Sequence, residues 1–559
     1  MSPASVAVEI RGLTFTYAGK EEPALSGIDL TVEEGETILL VGRSGSGKST
    51  LIKAINGLIP HRYEGRYEGD VRVMGLSVKR ASLSQLSRLV GTVVQEVSKQ
   101  LVLPNVEDDV AFGPCNLCLP RDEVARRVES ALASVGALHL RDRDVNELSG
   151  GEKQRVAIAG ILAMDQPIVL MDEPLANLDS EGVRLVQRYL REMRARGKTL
   201  LVAEHRTEEI LEVGVDRILV MEGGRIVREL EDESGLREFA GVIKVPATLF
   251  EVETPRIERE PEPKGPDRAR GPVAVRLEGV SFSYDGRPAI RDVTLEVREG
   301  EKIALLGNNG AGKSTLAKLM LGILKPTSGR VLVYGMDTRE REVYEMVPYV
   351  GLVFQNPFNM LFAKSVEEEL SYGPRNLGVE SREIAKRVRA AAERCGIEHL
   401  LPYSPFATSH GEKKRICVGS VLTMMPRILI LDEPTAGQDY ASYTAFMDFI
   451  SGLMKAGVIR SFIVITHDTD LAIEYTQRTV ILSDGRVVAD GPTREILAES
   501  DNLRAGRIRE TSLVRVGRSL TGGRYVLGLR DLLRVSGAPD GRKEFLAALN
   551  GKGTGGGCE

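Results

Sequence analysis

Residues 37–50, "TILLVGRSGSGKST", and residues 302–315, "KIALLGNNGAGKST", are the two stretches on which the reading of this chain turns. Each leads from a short apolar run of strand length, through a glycine-rich loop, into a Lys-Ser-Thr that opens a helical stretch. Glycines let successive backbone N–H groups curl around phosphate oxygens, the first helical turn adds the positive end of its dipole, and the lysine reaches the terminal phosphates. The loop residues are Gly42, Ser44, Gly45, Gly47, Lys48, Ser49 and Thr50 in the first copy, and Gly307, Asn309, Gly310, Gly312, Lys313, Ser314 and Thr315 in the second. Ser49 and Ser314 stand where a hydroxyl is supplied to Mg2+. A glycine-rich turn with a chance lysine is the bland alternative, and two copies in the same strand-to-helix context argue against it.

The same apparatus follows each loop. "PIVLMDEP" (167–174) and "RILILDEP" (427–434) place two carboxylates where a buried strand emerges. Asp172 and Asp432 are expected to hold the Mg2+ shell, and Glu173 and Glu433 to polarise an attacking water. The next apolar runs, "LLVAEH" (200–205) and "FIVITH" (462–467), end in His205 and His467. A single histidine after an apolar run is more often structural. Its recurrence beside the same carboxylates favours contact with a γ-phosphate and the attacking water. Tyr17 in "LTFTYAG" and Tyr284 in "VSFSYDG" offer a flat ring for adenine, against the alternative of a strand-edge aromatic.

Lys48 thus aligns with Lys313, Asp172 with Asp432 and His205 with His467, as a duplicated domain requires. Short β-branched runs alternate with amphipathic stretches such as "RDEVARRVESALASVG" (121–136), which predicts an α/β fold on a mostly parallel sheet. The expected division is a first domain over 1–240, a Pro- and charge-rich linker over 241–272, a second domain over 273–503, and a tail over 504–559 with no counterpart in the first copy. A length of 559 residues suits two cores. A net charge of −5 without a long Lys/Arg block gives no attraction to nucleic acid. Five cysteines make no disulfide framework, and the CxxC of Cys115 and Cys118 lacks a second pair to complete a metal site. The start lacks the regions of a signal peptide, and no apolar run approaches the roughly 20 residues that span a bilayer. Work at a membrane would need another chain.

Between the phosphate loop and the acidic strand the chain carries "LSGGEKQR" (148–155) in the first copy and "TSHGEKKR" (408–415) in the second. With this signature, Val6–Arg228 and Val273–Pro492 resemble the nucleotide-binding domain of ABC ATPases. The resemblance implies tandem P-loop NTPase domains, each with a mostly parallel sheet core, an antiparallel β subdomain and a helical subdomain. It implies ATP and Mg2+ as cofactors, with Gln95 and Gln355 contributing to the metal and water site, and an aspartate loop at Asp179 and Asp439. In that family two domains pair head to tail, so ATP at Lys313 would meet Ser149, Gly150 and Gly151, and ATP at Lys48 would meet Ser409, His410 and Gly411. The pairing here would be intramolecular. His410, in place of a glycine, leads us to expect the Lys48 site to be the slower.

"FGPCNL" (112–117) and "YGPRNL" (372–377), each preceded by an acidic cluster, resemble the ATPase subunits of energy-coupling factor (ECF) importers for cobalt and vitamins. That resemblance implies a transmembrane scaffold protein and a separate substrate-binding membrane protein as partners, and a peripheral place on the cytoplasmic face of the cell membrane. Asp108, Asp109, Glu368 and Glu369 would meet basic residues of the scaffold, against the alternative of a solvated acidic face. Tandem sugar-importer ATPases and non-transport tandem ABC proteins, ribosome- or nucleic-acid-associated, are the other readings.

Overall fold

Thr37–Gly42 (β3) carries the apolar run Ile38–Val41 and is buried along its whole length, as a strand covered on both faces of a parallel sheet must be. The computed structural model describes residues 5–240 except 96 and 177, residues 243–250, and residues 271–532 except 530. The chain falls into two compact units, the main body of the first ending at Leu249 and that of the second beginning at Phe250.

In the first unit Val6–Tyr17 (β1), Leu25–Glu33 (β2), Gly65–Val73 (β4) and Leu76–Ser77 (β5) form an antiparallel sheet in the order β2-β1-β4-β5. With β3, the strands Val90–Val93 (β6), Ile168–Asp172 (β7), Thr199–Ala203 (β8), Arg217–Glu222 (β9) and Arg225–Leu230 (β10) form a six-stranded sheet in the order β10-β9-β3-β8-β7-β6. All its pairs are parallel except β9–β10. The inner faces of the two sheets share one core, in which Phe15, Leu40, Leu51 and Leu170 are fully buried. The second unit repeats this plan. Val273–Tyr284 (β11), Arg287–Arg298 (β12), Ser328–Val333 (β14) and Met336–Asp337 (β15) are antiparallel. Lys302–Leu306 (β13), Val350–Val353 (β16), Ile428–Asp432 (β17), Ser461–Thr466 (β18), Arg478–Ser483 (β19) and Arg486–Pro492 (β20) make the larger sheet, in the order β16-β17-β18-β13-β19-β20. The predicted fold class is observed.

Each unit also has a helical layer: Val106–Asn116, Arg121–Ser134 and Gly150–Met164 in the first, Val366–Asn376, Ser381–Cys395 and His410–Leu422 in the second. The glycines of "FGPCNL" and "YGPRNL" have a packing reason here. A Cβ on Gly113 would stand 2.4 Å from the Met164 sulfur, and one on Gly373 would stand 2.9 Å from that of Met424.

The acidic clusters of this layer are not uniformly available to a partner, which corrects half of the expectation. One Asp109 oxygen accepts from the N–H groups of Val102 and Leu103, at 2.7 and 2.8 Å. Glu369 is buried, and its carboxylate accepts from the N–H groups of Phe362 and Ala363. Both carboxylates are spent inside their own unit holding a loop, because each stands in the first turn of its helix, beside the backbone that leads into it. Asp108 and Glu368 are exposed.

Residues 243–250, which the sequence placed in the linker, are folded: Ile243, Val245 and Ala247 are buried, and the Thr207 hydroxyl donates to the Lys244 carbonyl. Residues 251–270 of the expected linker lie outside the described residues, as do residues 533–559 of the expected tail. The rest of that tail packs on the second unit. Ser512–Leu520 is a helix capped by Thr511, whose hydroxyl also bonds Asp470 at 2.6 Å. Arg494 pairs with Asp531 at 2.6 Å, and Leu513, Val514, Val526 and Leu527 are buried. Leu513→Ala should therefore destabilise the second unit by about 2–5 kcal/mol, read as a lower denaturation midpoint. A midpoint equal to that of the parent chain would show the segment to be an appendage.

Candidate functional site

Both phosphate loops leave the carboxyl end of a central strand. Gly42 has φ 149°, and a Cβ there would stand 2.2 Å from the Met221 carbonyl; Gly307 has φ 148°, with the Leu482 carbonyl at 2.3 Å. Only glycine fits this approach to the neighbouring strand. Ser44 and Gly45, like Asn309 and Gly310, lie exposed at the crest of their loops, and Gly47 and Gly312 lead into helices Lys48–Ile55 and Lys313–Met320. Each lysine is buried and bent over its own loop. Lys48 Nζ donates to the carbonyls of Gly42 and Arg43 at 2.8 and 2.9 Å, and Lys313 Nζ to those of Gly307 and Asn308 at 2.6 and 3.0 Å. Burial draws the Lys48 ammonium below its ordinary range, against the pull of Glu173 and Asp172.

The carboxylates arrive from the strand two places away. Ser49 Oγ donates to Asp172 Oδ1 at 3.0 Å, and Ser314 bonds Asp432 in the same way. Burial raises both aspartates, and the serine hydroxyls counter it. A hydroxyl beside a carboxylate at the mouth of a phosphate loop is a hard oxygen donor set, and it fits Mg2+.

Glu173 and Glu433 follow directly in left-handed backbone, with φ 51° and 43°. This costs about 1–2 kcal/mol. The cost is met because the Glu173 and Glu433 N–H groups stay bonded to Ala203 and Ile465 of the next strand, at 2.8 and 2.9 Å. The chain thus turns sharply while still tied to the sheet. Gln95 Nε2 donates to Glu173 Oε2 at 2.7 Å. His205 Nε2 lies 3.2 Å from Glu173 Oε1 without hydrogen-bond geometry, whereas His467 Nδ1 bonds Glu433 Oε1 at 3.1 Å. Burial pulls Glu433 upward, but His467 and Lys313 outweigh it and hold the carboxyl below its ordinary range. Gln355 is exposed just beyond β16.

The tyrosines stand at the helix that each loop opens. Tyr17 OH is 3.2 Å from Thr50 Oγ1 and Tyr284 OH 3.4 Å from Thr315 Oγ1. Tyr17 is flanked edge-on by Phe15 and Tyr63, while Tyr284 meets Phe282 edge-on and is exposed.

The signature residues begin the helices Gly150–Met164 and His410–Leu422. Ser149 and Ser409 are their caps, with φ/ψ of −64°/161° and −66°/163°, each in a capping box with Glu152 or Glu412. A Cβ on Gly150 would meet nothing within 4 Å, nor would one on Gly411. His410 therefore starts its helix as well as Gly150 starts the other. Gly150 and His410 are both exposed, and a Cβ on Gly151 would stand 3.6 Å from the Leu178 side chain. Asp179 caps the helix Ser180–Ala195 through the Gly182 N–H at 2.9 Å, and Asp439 immediately precedes the helix Tyr440–Lys455.

Sequence reasoning passed over Glu204. It is buried in the first unit, with one oxygen on the Leu175 N–H at 3.0 Å and the other on the His205 N–H at 2.7 Å. Burial, and then Glu173, push its carboxyl upward. The signal was the departure of "VAEH" from "VITH". Cys115 and Cys118 are free and exposed, and among the described residues no group of three or more His, Cys, Asp or Glu side chains is placed to hold a metal ion.

Two phosphate loops, each with an acid pair, a histidine and a serine-capped signature helix, define a tandem nucleotide-binding protein of the P-loop class. The chain matches the ABC transporter family over residues 25–176 and 290–436. Two relatives, each named "Putative ABC transporter ATP-binding protein", are from Caldanaerobacter subterraneus subsp. tengcongensis and Enterococcus faecalis. The first is 36% identical over 94% of this chain and 98% of its own length, the second 36% over 92% and 95%. A solved structure of cbiO1 from Clostridium perfringens, described as part of the ABC transporter complex cbiONQ, is 36% identical and covers 44% of this chain and 99% of its own, with a TM-score of 0.39. The chain belongs to the ABC transporter family, and its two domains are ABC ATPase domains. No helix among the described residues is long and apolar enough to cross a membrane. If each loop binds one nucleotide, calorimetric titration of Lys48→Ala and of Lys313→Ala should each find one ATP per chain where the parent binds two. An unchanged count in either variant would remove that loop from the site.

Proposed function

We propose that this chain is the ATP-hydrolysing, energy-coupling subunit of an ECF-type importer for a vitamin or a transition-metal ion, driving a transmembrane scaffold and a separate substrate-binding membrane protein. The observation that carries the ATPase part is the convergence of Lys313, Ser314, Asp432, Glu433 and His467 at one end of a sheet, with its counterpart in the first unit. Mg2+, held by Ser314, Asp432 and Gln355 in one unit and by Ser49, Asp172 and Gln95 in the other, would neutralise phosphate charge. Glu433, ionised and oriented by His467, takes the proton of the attacking water. Lys313 and the loop N–H groups hold the phosphates, and Tyr284 and Tyr17 the adenine.

Support for a membrane partner comes from the helical layer of the second unit. Phe358 and Phe406 stack with centroids 6.3 Å apart, and Phe362 meets the edge of Tyr372 at 4.6 Å; all four are exposed. Exposed aromatics of this kind suit a protein partner. Glu369 fixes the backbone that presents Phe362.

The two sites are proposed to be unequal, with Lys313, Glu433 and Ser149 serving the faster one and His410 slowing the other. Glu433→Gln should then reduce ATPase activity about 10- to 100-fold more than Glu173→Gln in the assembled system, and equal losses would sink the asymmetry. Affinity purification from detergent-solubilised membranes tests the transport reading. A small multi-helix membrane protein that stimulates the ATPase is the expected companion, whereas ribosomes or nucleic acid without a membrane protein would overturn it.

A further inference from the structure

At one matched position of the signature helix, the two units hold the turn after their glutamate by groups of different charge. In the second unit Lys414, on the helix His410–Leu422, is only 4% exposed, and its Nζ donates to the carbonyls of Pro434 at 2.5 Å and Ala436 at 3.3 Å. In the first unit the corresponding Gln154 is equally buried and donates Nε2 to the Pro174 carbonyl. The opposite exchange occurs at the strand end, where Glu204 grips the Leu175 N–H and Thr466 stands in the second unit, bonded to the Asp468 N–H at 3.1 Å. The turn after Glu173 is thus held by the Glu204 carboxyl, by the neutral Gln154 amide from the signature helix, and by the Arg206 guanidinium, which donates to the Leu175 and Leu178 carbonyls at 3.3 and 3.2 Å; on the turn after Glu433 the signature helix itself places an ammonium. An amine is retained in so dry a place only with acceptors around it, and two backbone carbonyls of one turn are those acceptors.

We propose that Lys414 is a positioning residue of the second site: its charge, clamped on the Pro434 and Ala436 carbonyls, sets the placement of Glu433 and thereby the turnover of ATP held at Lys313. The inference rests on the reading of Glu433 as the group that activates water. His467 and Lys313 are the stronger direct influences on the Glu433 carboxyl, so Lys414 acts through the turn. Burial lowers the ammonium to about 8, with Glu433 and then Cys417 pulling it back. Among the described residues, those two are the titratable groups that act on it. The Cys417 thiol, on the same helix, is pushed up to about 12 by burial and by Glu369 and stays neutral, and the Glu369 carboxylate is taken by the Phe362 and Ala363 N–H groups. The clamp is therefore charged below about pH 8 and weakens above it.

The test is Lys414→Gln in the full chain, which installs the residue the first unit carries at this place. Steady-state ATPase is measured from about pH 6.5 to 9.5, with kcat and KM separated and thermal unfolding as a check on folding. The expected result is a kcat about 5- to 20-fold lower near neutral pH, a KM for ATP within about twofold, and loss of the decline in kcat that the parent shows above about pH 8. Equal kcat values and superimposable profiles would overturn the proposal, as would a parent profile with no decline there, which needs no variant. Glu433→Gln separates the two readings. Retained activity in that variant refutes the role of Glu433 itself, whereas lost activity alongside an unaffected Lys414→Gln refutes only the clamp.

Discussion

A buried ammonium bent back onto the carbonyls of its own loop is the interaction on which each unit depends. Lys48 and Lys313 each close a ring of backbone with two hydrogen bonds. Such a charge is costly to bury unless acceptors are at hand, so the loop and the lysine hold each other in shape. The glycines at φ near 150° exist to bring that loop against the neighbouring strand. Everything else in the site is hung from the ends of parallel strands. Because β8 lies between β3 and β7, strand order brings the phosphate loop, Asp172, Glu173 and His205 together although they are far apart in sequence.

What was legible in the sequence was whatever chemistry demands in a fixed residue type. A phosphate cradle needs glycines and a lysine, a metal shell needs an acid at a strand end, and duplication doubled each signal. The acidic clusters before "FGPCNL" and "YGPRNL" are only half legible, because sequence reports charge but not where a carboxylate turns. Asp109 and Glu369 face back onto their own loops, and nothing in their identity tells them from Asp108 and Glu368. The segment after Leu503 has no counterpart in the first copy, so the repeat gives no hint that its Leu513, Val514, Val526 and Leu527 are buried. Glu204 and Lys414 escaped for the complementary reason. They are differences between the copies, and each matters through a backbone group of a turn that only the fold brings near.

The two units are therefore one plan with different electrostatics. The parts that must meet a nucleotide are nearly superimposable in sequence, while the layer beneath them has drifted in sign. His205 and His467 illustrate this, one near its glutamate at an unbonded angle and the other bonded to it through a different ring nitrogen. A duplicated domain frees such positions to diverge without loss of the shared scaffold.

The serine caps at the signature helices carry a consequence for how variation here would be detected. Ser149 and Ser409 make the same capping box in front of Gly150 and His410, and the glycine position has open space around it. A β-carbon at that position therefore meets no steric obstacle. A library sorted by expression level, solubility or heat resistance would thus say little about this position, and its bearing on turnover has to be read by a selection that counts turnover.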